Sequence, residues 1–186
     1  MSWWQRWALV AVVAVTVVVV DQATKWWALR ALEGGRSIEV VWTLRLRLVF
    51  NRGTAFGFGS RFAPLIAVLA VVVVVVLLRS GSTIRGRWAR ASLGLVLGGA
   101  VGNLLDRVLR DGGGFLGGEV VDFFDLRWWP VFNVADMAVS AGVVVLIVTA
   151  WRDPGVVSPS EGPGGSVSGA APPPETDARP GRPSRR

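Results

Sequence analysis

Four stretches of this chain are too long and too apolar to form the interior of a small water-soluble domain. They are "WALVAVVAVTVVVVDQATKWW" at 7–27, "FAPLIAVLAVVVVVVLL" at 62–78, "ARASLGLVLGGAVGNLLDRVL" at 89–109 and "VFNVADMAVSAGVVVLIVTAW" at 131–151. A bilayer core about 30 Å thick takes about 20 helical residues to cross. Within it no water bonds the backbone, so a spanning segment must satisfy its own N–H and C=O groups, as a helix does. The expected fold is therefore an all-α membrane protein with four transmembrane helices. A mean hydropathy of +0.48 agrees. The basic, apolar start resembles a signal peptide, but no small-residue cleavage pattern precedes Asp21, so a retained first helix is expected.

Tryptophan marks the ends of these spans. Trp3, Trp4 and Trp7 stand at one end of the first, and Trp26 and Trp27 at the other. Trp88 precedes the third, Trp128 and Trp129 precede the fourth, and Trp151 closes it. Indole favours the headgroup level, where its ring meets lipid and its N–H meets a polar partner. The net charge of +7 comes from arginines and one lysine, Lys25. Such a charge would suit nucleic acid in principle, but many arginines flank apolar runs or lie in the tail, which fits lipid headgroups better.

Between the first two spans, "SIEVVWTLRLRLVF" (37–50) alternates with period two. Ile38, Val40, Trp42, Leu44, Leu46, Leu48 and Phe50 fall on one face; Glu39, Thr43, Arg45 and Arg47 fall on the other. This predicts an amphipathic strand or hairpin outside the bilayer, either facing lipid or a lipidated ligand, or merely packing on the helices. Residues 153–186 are rich in Pro, Gly and Ser and carry almost no large apolar side chains, so a disordered tail is expected after a membrane domain of residues 1–152.

The unusual polar residues gather at one end of the spans. Asp21 and Lys25 are in the last turns of the first, and Asn51 precedes the second. Asn103, Asp106 and Arg107 end the third, and Asn133 and Asp136 begin the fourth. A carboxylate placed as Asp136 is costs on the order of 3 kcal/mol on insertion scales. "GNLLD" and "FNVAD" each hold N-x-x-D, which sets an amide and a carboxylate on one helical face. Gly98, Gly99, Ala100 and Gly102 admit a close neighbour, either another helix or a substrate backbone. "RSGSTIRGRWAR" carries four arginines and no acid. By the positive-inside rule that connection and both termini are cytoplasmic, and the polar end faces outward.

Cysteine and histidine are absent, which removes disulfides, thiol and Ser-His nucleophiles and the usual zinc sites. A Ser–Lys type dyad would use Lys25 with Thr24 or Ser140, yet Asp21 stands four residues before Lys25 and would pair with it. Two aspartates sharing a proton are the stronger option, since close carboxylates cannot both ionise easily. Asp136 is one member; Asp106, Asp122 and Asp21 are candidates for the other. A transporter with Asp21, Asp106 and Asp136 along an ion path would instead need polar groups through the full bilayer.

The motifs "DQATK", "NRGTAFG", "GGAVGNLLDR", "VVDFF" and "FNVAD" occur in the order, and at about the spacing, of those of lipoprotein signal peptidase, or signal peptidase II. The chain resembles that family across all four spans. The resemblance implies a bacterial inner-membrane aspartic endopeptidase, multi-pass and without metal or cofactor. It would remove signal peptides from diacylglyceryl-modified prolipoproteins, cutting immediately before the lipidated cysteine, and act as a monomer.

By the resemblance, Asp122 and Asp136 form the catalytic pair. Asn103, Asp106, Arg107 and Asn133 line and brace the site, Asn51 and Gly53 face substrate, and Asp21 with Lys25 gives structural support. The strand-rich segment would be an exterior cradle for the lipid-bearing substrate. Two departures stand out: Thr54 replaces the first alanine of the usual N-x-G-A-A-F, and Asp136 follows Asp122 by only fourteen positions. The G-x-G-D motif of other intramembrane aspartic proteases is absent.

Overall fold

A computed structural model describes residues 3–52, 86–110 and 116–152, together with Val68, Val72, Val75 and Arg79. Three helices in it are long and apolar enough to cross a bilayer. Helix α1 covers Trp3–Ala31, α2 covers Arg87–Leu109 and α3 covers Val134–Arg152. Each lies within a few residues of an expected span. The remaining span, 62–78, lies outside the described residues apart from three isolated helical positions, as does the tail from residue 153.

Helix α2 is central and the most buried of the three, packing along both α1 and α3. Adjacent glycines make this possible. A Cβ on Gly98 would stand 2.7 Å from the Ala14 carbonyl oxygen of α1, and one on Gly99 would stand 2.4 Å from the Ala135 carbonyl oxygen of α3. Consecutive helical positions point about 100° apart, so one Gly-Gly step opens α2 to two neighbours at once. Valines such as Val12, Val15 and Val19 on α1 and Val144 on α3 stay exposed, as lipid-facing side chains do.

The expected exterior strand is a hairpin. Strands β1 (Ser37–Val41) and β2 (Leu44–Asn51) pair antiparallel, with Ile38 opposite Leu46 and Glu39 opposite Arg45. The alternation does not run through as one face, because Trp42 sits at the turn with φ 52° and is 94% exposed. A third strand, β3 (Val120–Asp125), pairs with β2 and gives the sheet order β1-β2-β3. The β-rich region thus extends past residue 50 to include the "VVDFF" segment. Leu46 and Leu48 pack on Ala28, Leu32, Val121 and Phe123, which fastens the sheet to the end of α1.

Strand β3 contains a bulge. The N–H groups of Phe123 and Phe124 both donate to the Phe132 carbonyl, at 3.1 and 2.9 Å, and the Phe132 N–H donates back to the Phe124 carbonyl at 3.1 Å. Two residues face one, so the alternation of β3 slips by one position. Asp122 and Asp125, three residues apart, consequently line the same cavity.

Candidate active site

The first turn of α3 explains "FNVAD". The Asp136 N–H donates to Asn133 Oδ1 at 3.0 Å, and the Asn133 N–H donates to Asp136 Oδ2 at 3.2 Å. This reciprocal pair is a capping box, which satisfies two otherwise orphaned donors at the helix start. Asp136 remains half-buried, and its Oδ1 accepts Asn103 Nδ2 from α2 at 2.8 Å. The amide of "GNLLD" therefore meets the carboxylate of "FNVAD" across the helix pair, as the spacing allows.

Asn103 is held in one orientation. Its Oδ1 accepts Lys25 Nζ at 3.0 Å and Asn133 Nδ2 at 3.0 Å, so its amide nitrogen is turned to Asp136. Lys25 is fully buried and also touches Asp21 Oδ2 and Asp106 Oδ2, each at 2.8 Å. Three acceptors match the three N–H bonds of an ammonium, and no hydroxyl is among them. Thr24 Oγ1 instead bonds the Val20 and Asp21 carbonyls, and Ser140 is exposed, so the Ser–Lys type arrangement is not assembled. Asp21 Oδ1 accepts the Ala135 N–H at 2.9 Å, another donor from the first turn of α3.

Asp106 forms its ion pairs with Lys25 and with Arg110, whose Nε lies 2.8 Å from its Oδ1. Arg107, its neighbour in sequence, turns away, and its Nη1 donates to the Gly118 carbonyl at 3.4 Å. Asp106 Oδ2 also accepts the Val121 N–H at 3.3 Å, which ties β3 to the end of α2. Asp21 and Asp106 thus share the Lys25 ammonium, and Asp106 has Arg110 as well.

Asp122 is 1% exposed and has no ion pair within 4 Å among the described residues. Its Oδ1 accepts Asn133 Nδ2 at 2.7 Å and its Oδ2 accepts Asn51 Nδ2 at 2.9 Å. Burial pushes its carboxyl up to about 7; the Asn51 and Asn133 amides oppose the shift, and the Asp136 charge adds to it. Asn133 therefore touches both carboxylates, Asp122 through its side chain and Asp136 through its backbone N–H. A profile of the signal peptidase (SPase) II family matches residues 13–152.

The chain belongs to the signal peptidase II family.

A lipoprotein signal peptidase of Rhodococcus jostii (strain RHA1) is 43% identical over 145 residues, which cover 77% of this chain and 73% of that protein. The lipoprotein signal peptidase of Mycobacterium avium (strain 104) is 39% identical over 145 residues, covering 77% and 79% respectively. A solved bacterial membrane enzyme superposes with a TM-score of 0.67 at 29% identity, over 78% of this chain and 88% of that one. A signal peptidase II is a membrane peptidase, in keeping with the three apolar helices.

Most of the residues singled out in the sequence meet at this site. Asp21, Lys25, Asn103, Asp106, Asn133, Asp136, Asn51 and Asp122 form one connected network, with Arg107 beside it. Gly53 and Thr54 lie outside the described residues. Three participants were not anticipated. Gln22 Nε2 donates to the Gly102 carbonyl at 3.1 Å and to Asp21 Oδ2 at 3.2 Å. Arg110 completes the Asp106 pair. Asp125, 2% exposed, accepts Arg45 and Arg47 from β2 and the Arg127 N–H. Burial alone would raise the Asp125 carboxyl, but these donors and the Arg47 charge hold it down at about 2. Gln22 lies inside "DQATK" and could have been read there. Asp125 could not, because only the bulge brings it to the face of Asp122.

Proposed function

We propose that this signal peptidase II removes signal peptides from diacylglyceryl-modified prolipoproteins, cutting immediately before the lipidated cysteine, and that Asp122 and Asp136 carry the reaction. The observation that supports the pair is the position of Asn133, hydrogen-bonded to one carboxylate at 2.7 Å and to the other at 3.2 Å. The dyad shares one proton, held on Asp122 near neutral pH because burial disfavours its charge. Asp136 is then the member left to take a proton from water. The hydroxide so formed attacks the scissile carbonyl carbon while Asp122 donates its proton to the carbonyl oxygen. The tetrahedral intermediate collapses, the C–N bond breaks, and the proton on Asp136 passes to the departing cysteine amine. The proton on the new acid oxygen returns to Asp122.

The chain crosses the membrane four times, with 62–78 as the second span, both termini cytoplasmic and the site at the outer face. A substrate anchored by diacylglycerol in the outer leaflet presents its cleavage site at that depth. The test is purified protein in detergent with a model prolipoprotein carrying or lacking diacylglycerol on its cysteine. Cleavage of the lipidated form alone is expected, and its loss in Asp122→Asn and in Asp136→Asn at normal membrane insertion. Processing by either variant at the unmutated rate overturns the dyad; equal cleavage of both substrates overturns the lipid requirement.

A further inference from the structure

Beside Asp122, on the face of the sheet away from the Leu46–Phe123 core, lies a cavity of about 440 Å³. Its charged lining is Arg45 and Arg47 of β2, Asp122 and Asp125 of β3, and Arg127 just after β3, with Trp129 also in the lining. The charges in it do not cancel. Arg45 and Arg47 both converge on one oxygen of Asp125, Oδ2, with Arg45 Nη2 at 2.8 Å. Arg127 reaches outward to Glu39 of β1, which is itself 57% exposed and outside the cavity lining. With Arg127 paired to Glu39, Arg45 and Arg47 share the single carboxylate of Asp125, beside a carboxyl that holds a proton through part of the neutral range.

Asp125 is 2% exposed, so the cluster is anchored to the fold at its base while Arg45 and Arg47 keep 32% and 42% of their side-chain surface open. Half-open guanidiniums with a fixed base are suited to forked hydrogen bonds with an incoming carboxylate. The place of the cavity favours a peptide as the source of that carboxylate. It begins at Asp122, which stands opposite Val49 of β2, and extends toward Arg47 and Arg45, two and four residues from Val49, which is roughly 7 and 13 Å of strand. An extended peptide leaving the scissile bond covers that distance in about two to four residues.

We propose that this cavity is a subsite for the substrate segment following the scissile bond, and that it selects an acidic side chain within about four residues of the lipidated cysteine. The proposal rests on the peptidase reading above and adds a preference to it.

The test compares two diacylglyceryl lipopeptides that differ only after the cysteine, one with Ser and Gln and one with Asp at the second to fourth positions after it. Turnover is followed as kcat/KM with the unmutated protein, and affinity as Kd by isothermal titration on the Asp136→Asn variant. A five- to tenfold advantage of the acidic peptide in both readings is expected, shrinking to below twofold in 0.5 M salt. Arg45→Gln and Arg47→Gln, made separately, should each bring the acidic-to-neutral ratio toward one; using a ratio makes the result independent of how much active protein each variant yields. An unmutated ratio within twofold of one, or a ratio unchanged in both variants, overturns the subsite. So does the finding that the arginines matter only when the bilayer contains phosphatidylglycerol, which assigns the cavity to a lipid headgroup. If neither peptide is cut but the acidic one binds more tightly, the subsite stands and the peptidase reading falls.

Discussion

Asn133 has one side chain and one backbone N–H, and each serves a different carboxylate. Its Nδ2 lies within reach of three acceptors, Asp122 Oδ1, Asn103 Oδ1 and the Val121 carbonyl, but has only two hydrogens; the contacts at 2.7 and 3.0 Å are the ones to retain. Its Oδ1 caps α3. Replacing it with alanine removes a cap worth about 1 kcal/mol. Because it also frees Asp122, kcat should fall about a hundredfold while KM changes little; an unchanged kcat would reduce Asn133 to a helix cap. Asp122 gives a pH signature. Its folded pKa is raised, so the folded state binds that proton more tightly than the unfolded chain. The stability it contributes is complete below its ordinary value of 3.8 and is lost as pH rises toward about 7. Asp122→Asn should therefore gain thermal stability relative to the unmutated protein as pH is raised from 5 to 8, by a few degrees in detergent. The alkaline limb of kcat/KM should fall near pH 7 as the shared proton leaves. A flat difference in Tm across that range would show that Asp122 is not buried in its acid form.

Among the elements, α2 and β3 set the geometry of the site. Helix α2 lies against both neighbours because Gly98 and Gly99 put no side chain between the backbones. Gly99→Val should force α3 away from α2, cost about 1–3 kcal/mol and loosen the Asn103–Asp136 contact. Thermal unfolding with the activity assay checks both, since loss of stability without loss of activity would separate the packing from the site. The glycine run was legible in the sequence as a close approach, though not which surface would approach; in the fold it is two helices. Strand β3 was less legible. "VVDFF" reads as an apolar run with one acid, and nothing in its composition shows that Phe123 and Phe124 share one partner carbonyl. That bulge brings Asp125 onto the side of Asp122, and Asp125 then clamps Arg45 and Arg47 of the neighbouring strand.

For the molecule as a whole, the buried charges act as a joint. Lys25 of α1 holds Asp106 of α2, Asp21 holds the first turn of α3, and Asp106 holds β3. Removing the ammonium in Lys25→Met would leave two buried carboxylates without their shared cation, a loss of about 3–5 kcal/mol. Reduced protein levels and a lowered Tm should accompany lost activity in that variant, unlike Asp136→Asn. The sequence alone marked the apolar helices, left carboxylates, amides and a few hydroxyls as the groups open to chemistry, and put the unusual polar residues at one end of the spans. Those conclusions follow from run length, from the missing His and Cys, and from helical rise, all of them local properties. It also carried the motifs of the peptidase family, because they are short and ordered along the chain. Composition and spacing treated the aspartates alike, and only the tertiary structure gives each its own surroundings. Asp21, Asp106 and Asp122 are chemically identical, and what distinguishes them is distance to Lys25. Two lie 2.8 Å from its ammonium, whereas the third is buried against two asparagines.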